Sequence, residues 1–339
     1  MKKTRSKEIK ESAIRHKIVL GIKTLFIVGL LLFLVQKGFI SVNATRQALS
    51  QWKKMILALL LIFLNTGLGI IRWQWLLEAQ NIHLGLIRTT QLSLIGNFFN
   101  IALPGAVSGD FVKAFYIGKE VKGQKSKAFG TILFDRVAGL SALVLVSAGA
   151  LFLGFQTYIH SALFSTIHVL MEVAAFSVIF FYGYLFLIKN HYDPLLKVLK
   201  SIESKAPKFA SIARIYESLR HYHNHRMTVV KALALSILIH LIAGWTSMVF
   251  AEALGETQLS LLSVYVVVPL GLLLTAIPVA PAGVGTGNIT FFYFFHLIGS
   301  ERGADIFSLI ALTNVLVGAI GGLVYLRFKS KEPIGTVLA

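Results

Sequence analysis

The stretch Asn97–Tyr116, NFFNIALPGAVSGDFVKAFY, sets helix-breaking residues beside charges within an otherwise apolar run. Pro104 and Gly105 interrupt the run, and Asp110 and Lys113 follow shortly after them. Freed backbone groups and ions find no water in hydrocarbon, so a chain tolerates such a stretch at membrane depth only where protein or a polar cavity shields it. The stretch therefore predicts a broken helical element that lines a polar cavity.

A second stretch, Ile277–Tyr293, IPVAPAGVGTGNITFFY, repeats this pattern downstream. Both stretches combine a proline, a glycine-rich turn and a polar helix start, at Gly109 in the first and Gly287 in the second. A helix that starts at such a turn aims N–H groups and about half a positive charge into the cavity, which favours an anionic group such as phosphate. We therefore expect two halves, each organised around one break.

The composition is that of a polytopic membrane protein. Of 339 residues, 55% are hydrophobic and 14% are charged, against about 45–50% and 25% in soluble domains. The chain contains no cysteine, which excludes disulfide bonds and thiolate chemistry. The net charge of +18 lies in short basic segments between apolar runs, which is a topology signal of membrane proteins, so no nucleic acid is expected as a partner.

Six apolar runs are long enough to cross a bilayer. They are predicted at residues 18–35, 55–75, 128–152, 163–188, 230–250 and 306–328. The two broken elements are predicted as re-entrant helical hairpins at 84–118 and 259–298. At the end of the second span, Arg72, Trp73 and Trp75 are expected to form an interfacial anchor. The fold class is therefore an all-α polytopic membrane protein with about six full spans plus two re-entrant hairpins.

The distribution of basic residues orients these spans. Of the 33 Lys and Arg residues, 24 lie in segments predicted to be cytoplasmic, namely 1–17, 113–127, 189–231 and 327–331. The two repeats, 18–152 and 163–328, then run in opposite directions, which is an inverted-topology repeat. Both the basic N-terminus, 1–17, and the short tail, 329–339, are cytoplasmic in this scheme. The connector 189–231 lies on the inner face, and the membrane is assigned as the bacterial-type plasma (inner) membrane.

Charged residues at membrane depth are the first candidates for a functional site. A buried arginine is costly by about 2.5–3.5 kcal/mol on insertion scales, so Arg136 needs a partner or a purpose. Asp135 is its neighbour and points another way, so we expect Asp110 or a lipid phosphate to face Arg136. A substrate role and a structural role both stay open for Arg136 and Asp110, since Asp110 could also cap its helix. For Glu172, a structural carboxylate is favoured over proton coupling.

The candidate substrate site draws on both halves, and neutral hydrogen bonds are expected from its asparagines. The full set is Asn97, Asn100, Pro104, Gly105, Gly109, Asp110, Lys113, Asp135, Arg136, Glu172, Pro281, Gly283, Gly285 and Asn288. Lys113 and the basic cluster 119–127 are also expected to attract anionic lipid at the cytoplasmic face.

No cofactor and no metal are expected. The glycine-rich run 283–287 lacks the preceding strand that a dinucleotide-binding loop requires. His221, His223 and His225 alternate as metal ligands could on a strand. Their place at the end of a basic connector favours a solvated or headgroup-facing cluster instead.

The chain resembles the membrane region of lysylphosphatidylglycerol synthases and its stand-alone relatives in three runs, NFFNIALPGAVSGDFVKAFYIG, FGTILFDRVAGLSALVLV and IPVAPAGVGTGNITFFYFFHLIG. The resemblance covers about residues 24–328. It rests on a Pro-Gly turn followed by Gly-Asp, an Asp-Arg pair and a proline- and glycine-rich hairpin, at Pro104, Gly105, Gly109, Asp110, Asp135, Arg136, Pro278, Pro281, Gly283 and Gly285. Asn288 stands where the family's hairpin has an acidic residue.

This resemblance implies a phospholipid flippase. Only a short tail follows the last span, so the aminoacyl-transfer domain of the synthases is expected to be absent and no enzymatic activity is predicted. We expect the protein to move a phosphate-bearing lipid between leaflets through a cavity between the two hairpins. Two alternatives stay open, a secondary transporter of a small anionic solute and a non-catalytic membrane partner of a lipid-modifying enzyme. Assembly as a homo-oligomer is also left open.

Overall fold

The computed structural model describes residues 42–103, 108–121, 123–154, 162–206, 210–275 and 286–328, and within these ranges the chain is helical with no strand. Its α-helices are α1 (Val42–Ser50), α2 (Trp52–Ala79), α3 (Leu86–Ala102), α4 (Ser108–Glu120), α5 (Lys125–Leu153), α6 (Ala162–Leu187), α7 (Pro194–Lys205), α8 (Ala210–His221), α9 (Arg226–Ala253), α10 (Leu261–Thr275), α11 (Thr286–His296) and α12 (Gly303–Arg327).

Five helical stretches of the described ranges are long and apolar enough to cross a membrane. They are Trp52–Ala79, Lys125–Leu153, Ser165–Leu187, Ala210–Ala253 and Gly303–Arg327. These stretches match the second to sixth predicted spans and confirm an all-helical polytopic membrane protein. The predicted first span at 18–35, the basic segment 1–17 and the tail 329–339 lie outside the described residues.

Two antiparallel helices, α2 and α9, form the centre of the bundle. Near their middle, Asn65 Nδ2 donates to the Ile239 carbonyl at 3.1 Å. At one end, the Lys54 ammonium lies 3.3 Å from the Glu252 carboxylate. The other end of α2 carries Gln80, which packs against the connector between α6 and α9. We call this second end of the bundle the connector end; it is the end predicted to face the cytoplasm.

The first hairpin consists of α3 and α4, and it opens at the connector end. Arg88, near the start of α3, binds the Glu120 carboxylate at the end of α4 with both Nε and Nη2. The Arg88 guanidinium also lies 4.0 Å from the centre of the Phe328 ring, which directly follows α12. These contacts of Arg88 join the two arms of the hairpin to the end of α12. The predicted hairpin turn, 104–107, lies outside the described residues.

The second hairpin consists of α10 and α11, and it opens at the opposite end of the bundle. There, Ser300 Oγ donates to Glu256 at 3.0 Å, joining the segment after α11 to the segment before α10. The turn 276–285 is outside the described residues. Each hairpin packs on the last span of the other half, α3 against α12 and α10 against α5. Such reciprocal packing is what an inverted repeat would produce, and the repeat itself stays a prediction.

The first arm of the first hairpin extends to about the middle of α12. A 17-residue helix such as α3 is about 25 Å long. Its last turn places Ile101 against Gly318, and one face of α3 lies directly on Gly321. A Cβ atom at Gly321 would stand 2.7 Å from the carbonyl carbon of Leu94, so only glycine permits this close contact between the two helices.

The connector is held to the bundle by a buried ion pair between Asp193 and Arg220, whose Oδ2 and Nε atoms are 2.8 Å apart. Asp193 also caps α7 by accepting from the Leu196 N–H at 3.0 Å, and it accepts from the hydroxyls of Tyr184 and Tyr216 at 2.9 Å each. Burial raises the pKa of the Asp193 carboxyl, but these hydrogen bonds and the guanidinium outweigh burial and hold the pKa below its usual range.

Candidate functional site

The start of α4 is fixed by close contact between the two arms of the first hairpin. A Cβ atom at Gly109 would stand 2.7 Å from the carbonyl carbon of Gly96 and 2.8 Å from Cγ of Asn100, so a larger residue does not fit. The Gly109 N–H donates to Oδ1 of Asn100 at 2.8 Å. Asn100, expected to bind substrate, therefore satisfies one of the N–H groups at the start of α4.

Asp110 follows this contact and forms an ion pair with Arg136 of α5, between Oδ2 and Nε. Asp110 is one of the two partners, together with a lipid phosphate, that the sequence predicts for Arg136. The pair is not sealed from its surroundings, because 40% of the Arg136 side chain and 19% of the Asp110 side chain remain exposed. Asp110 lies ten residues, or about 15 Å of helix, from Glu120 at the connector end. The pair is thus well inside the bundle.

Asp135, the neighbour of Arg136, points to a different partner. Its Oδ1 accepts from Nε of Arg72 on α2 at 2.8 Å, and Arg72 Nη1 donates to Oγ of Ser236 on α9, also at 2.8 Å. Only 12% of the Arg72 side chain and 15% of the Asp135 side chain are exposed. The expectation that Arg72 anchors the span at the membrane interface is wrong, since Arg72 joins α2, α5 and α9 in the interior.

Lys113 lies one turn after Asp110 and is buried, with 7% of its surface exposed. Its ammonium is 3.5 Å from the centre of the Trp73 ring, a cation–π contact. Trp73 is itself fully buried and donates from Nε1 to Oγ1 of Thr131 at 3.1 Å, so it too is no interfacial anchor. The expectation that Lys113 attracts lipid at the membrane surface is therefore wrong, because its ammonium is enclosed by helices.

These side chains form one electrostatic unit, which we call the charged cluster: Arg72, Asp110, Lys113, Asp135 and Arg136. Lys113 interacts electrostatically with each of the other four members. Among the described residues, both carboxylates of the cluster are engaged by arginines, and Lys113 makes no direct ion pair with either. Three cations face two carboxylates, so the cluster has one positive charge in excess. At this depth, that excess favours binding of a single negative charge.

The other described candidate residues lie outside this cluster. Asn97 lies half-buried on α3, one turn before Asn100. Asn288 donates from Nδ2 to Oγ of Ser308 at 2.8 Å, which attaches α11 to α12. Glu172 lies on the exposed side of α6 and pairs with the His168 imidazole at 3.1 Å. Four of the fourteen candidates, Asp110, Lys113, Asp135 and Arg136, thus belong to the charged cluster.

Five candidate residues fall on the two hairpin turns and lie outside the described residues: Pro104, Gly105, Pro281, Gly283 and Gly285. Three charged residues are missing from the candidates that the sequence suggests: Arg72, Arg88 and Glu120. A signal for Arg72 was present, since the apolar pattern continues for about two turns beyond it and places it inside the span. The Arg88–Glu120 pair carries no such signal, because its members are 32 residues apart.

A family model matches most of the chain, and a known protein matches about a third of it. The family model described as the lysylphosphatidylglycerol synthase TM region matches residues 18–328. The UPF0104 membrane protein PH1989 of Pyrococcus horikoshii is 27% identical over 125 residues. That match covers 36% of this chain and 37% of the relative. No solved protein structure matches.

The family match spans the five membrane-crossing stretches, both hairpins and every residue of the charged cluster. The motifs that suggested the resemblance, at Gly109-Asp110 and Asp135-Arg136, lie at the contacts between the first hairpin and α5 and between α5 and α2. The description of the matched family names the TM region. The chain therefore belongs to the lysylphosphatidylglycerol synthase transmembrane region family.

Proposed function

We propose that this protein is a membrane lipid translocase that moves a phosphate-bearing lipid between leaflets. The observation that carries the proposal is the charged cluster, with its one positive charge in excess and its buried Lys113. A phosphodiester lipid carries one negative charge, which would neutralise the cluster. Membership of a family named for the membrane region of a phospholipid-modifying synthase supports a lipid rather than a water-soluble substrate.

In this proposal the lipid phosphate binds to the exposed part of Arg136 and is attracted by the buried charge of Lys113, while the acyl chains remain in the bilayer. Arg136 is suited to this role because its guanidinium presents several donors in a plane, a geometry that matches phosphate oxygens. Asp110 holds the guanidinium in place when no lipid is bound. Arg72 and Asp135 are assigned a structural role, since each is held by the other and enclosed by helices.

The two halves would expose the site alternately. Each hairpin packs on the last span of the other half, and the two hairpins open at opposite ends of the bundle. This arrangement supports an inverted repeat, in which the halves rock against each other around a central site. The proposal places the protein in the bacterial inner membrane with both termini in the cytoplasm. It assigns the chain no enzymatic activity and no cofactor.

The test is translocation of a fluorescent phosphatidylglycerol in proteoliposomes, read by quenching the outer leaflet. Lys113→Gln removes the excess charge of the cluster without stranding a carboxylate. The rate should fall about tenfold or more, since loss of about 1.4 kcal/mol at the limiting step changes a rate tenfold. The matched control is Lys119→Gln on the same helix, whose ammonium packs over the Phe115 ring outside the cluster. The rate of that variant should fall much less, because it removes only one of several basic side chains in the 119–127 cluster.

Full translocation by a stable Lys113→Gln protein would refute the charged cluster as the lipid site. The same vesicles distinguish the solute alternative. Uptake of labelled inorganic phosphate without movement of the fluorescent lipid would assign the chain to anion transport instead. Loss of activity in both lysine variants would mean that positive charge on α4 acts generally, not at a specific site.

A further inference from the structure

Helix α7, the first helix of the connector, presents an exposed apolar face. Leu195, Val198 and Ile202 recur at intervals of three and four residues, so they lie on one side of the helix. Between 41% and 54% of each of these residues is exposed. A different side of α7 packs on the bundle, where Leu196 is buried. Packing within the described residues therefore leaves the apolar face of α7 open.

The same helix is basic. It carries three lysines, Lys197, Lys200 and Lys205, and one glutamate. Lys200 is engaged by Glu217 of α8 at 2.8 Å, whereas Lys197 and Lys205 are exposed. A helix that combines an apolar face with lysines binds the interface of an anionic bilayer, because the long lysine side chains reach the headgroups. The charge of α7 therefore favours a partner that has negative charges above an apolar layer.

The place of α7 in the chain puts it at a membrane surface. It follows the membrane-crossing helix α6, and only residues 188–193 separate the two helices. Exposed apolar residues continue along this junction, since Leu187 is 77% exposed and Tyr192 is 68% exposed. Tyrosine is enriched where a chain leaves the hydrocarbon. With 12 residues, α7 is only about 18 Å long, so it is too short to cross a bilayer.

The start of α7 is attached to the end of α6. Pro194 occupies the first turn of α7, and Asp193 caps that turn and pairs with Arg220. Nη1 of Arg220 donates to the Leu185 carbonyl at 3.4 Å, in the last turn of α6. A force on α7 is therefore transmitted to the end of a membrane-crossing helix through a buried ion pair.

We infer that α7 is an interfacial helix that binds the anionic surface of the leaflet at the connector end. Leu195, Val198 and Ile202 lie among the upper parts of the acyl chains, and the ammonium groups of Lys197 and Lys205 bind lipid phosphates. The partner is the bilayer surface, not a single lipid held inside the bundle. The inference uses no residue of the charged cluster and does not depend on the proposed translocation.

Two single-cysteine variants of the full-length, cysteine-free protein test the position of the apolar face. Ile202 and Ser204 are neighbours near the end of α7, but their side chains point about 160° apart around the helix axis. I202C and S204C each carry an environment-sensitive fluorophore in nanodiscs that hold one protein and equal parts of phosphatidylcholine and phosphatidylglycerol. Lipids with a nitroxide high on the acyl chain should quench the I202C label several times more than the S204C label. Iodide in the water should quench the two labels in the reverse order.

A double variant tests the charge of the helix. Each lysine near an anionic surface strengthens binding about fivefold. In the I202C protein, phosphatidylglycerol should therefore increase nitroxide quenching over phosphatidylcholine alone, and K197Q/K205Q should remove most of that increase. The matched control, K125Q/K127Q, removes the same charge from exposed positions at the start of α5 and should keep the increase. The melting temperature of each variant verifies that it is folded.

The inference is overturned if iodide reaches both labels equally, since α7 would then lie away from the bilayer. It is also overturned if phosphatidylglycerol gives no increase, or if the two double variants lose the increase equally. An I202C label that is protected only in nanodiscs holding two chains would assign the apolar face to a second copy of the protein instead. Translocation is read separately in proteoliposomes, so a failure of this inference leaves the role of Lys113 untouched.

Discussion

Replacement of Arg72 by glutamine should destabilise the bundle more than any comparable change in the charged cluster. The substitution strands the Asp135 carboxylate in the interior, on a side chain of which 15% is exposed. Removing one partner of a buried ion pair costs about 3–5 kcal/mol. The hydrogen bond from Arg72 to Ser236, at 2.8 Å, is lost as well, which adds about 1 kcal/mol. We therefore expect Arg72→Gln to lower the free energy of unfolding by about 4–6 kcal/mol.

A double variant separates the stranded charge from the lost contacts. Arg72→Gln with Asp135→Asn leaves two neutral amides that can bond each other, and it should recover most of the stability. Arg136→Gln is the comparison. The Asp110–Arg136 pair is partly exposed, so the Asp110 carboxylate left without its partner can still be solvated, and the loss of stability should be smaller. Thermal unfolding in detergent, followed by tryptophan fluorescence, measures all variants. A wild-type melting temperature for Arg72→Gln would refute the structural role, as would a double variant no more stable than the single one.

Three further predictions concern helix packing, the pH dependence of stability and the membrane topology. Gly109→Ala should prevent close packing of the first hairpin and lower the melting temperature, whereas Gly118→Ala, with only ordinary contacts around its position, should not. The pKa of the Asp193 carboxyl is held low in the folded state, so its stabilising effect is present above the unfolded value of about 3.9 and is lost as pH falls through the folded value. Unfolding midpoints measured below about pH 4 should therefore fall for the wild type and stay flatter for Asp193→Asn. In this cysteine-free chain, Ser126→Cys should react with an impermeant thiol reagent only from the cytoplasmic side and Glu301→Cys only from outside; labelling of Ser126→Cys from outside would contradict the topology.

The helical spans could be predicted from the sequence because their apolar cores are long and continuous. The second span was expected at 55–75, and the helix is Trp52–Ala79. The additional turns include polar residues such as Lys53 and Glu78, which a hydropathy pattern does not count. Helices continue beyond the hydrocarbon into the interface, so the ends of the spans carry charges that composition alone assigns to loops.

The contacts of the site were only partly predictable. The cost of a buried arginine made a counter-charge necessary for Arg136, and Asp110 supplies it. Arg72 was misplaced because the span was ended too early, at Trp75, which put a deep residue at the interface. The contact of Lys113 with the Trp73 ring joins two helices that are separate in the sequence. No local sequence pattern predicts such a contact, so the burial of Lys113 is visible only in the structure.

The central claim, that the charged cluster binds a lipid phosphate inside the membrane, is tested most directly by a cryo-electron microscopy map of the protein in phosphatidylglycerol nanodiscs. The claim predicts phosphate density in contact with the exposed part of the Arg136 guanidinium, close to the buried Lys113 ammonium, with acyl chains leading from it into the bilayer. The same density should be missing from the Lys113→Gln protein. A map in which lipid phosphates lie only at the two membrane surfaces, with none beside Arg136, would contradict the claim.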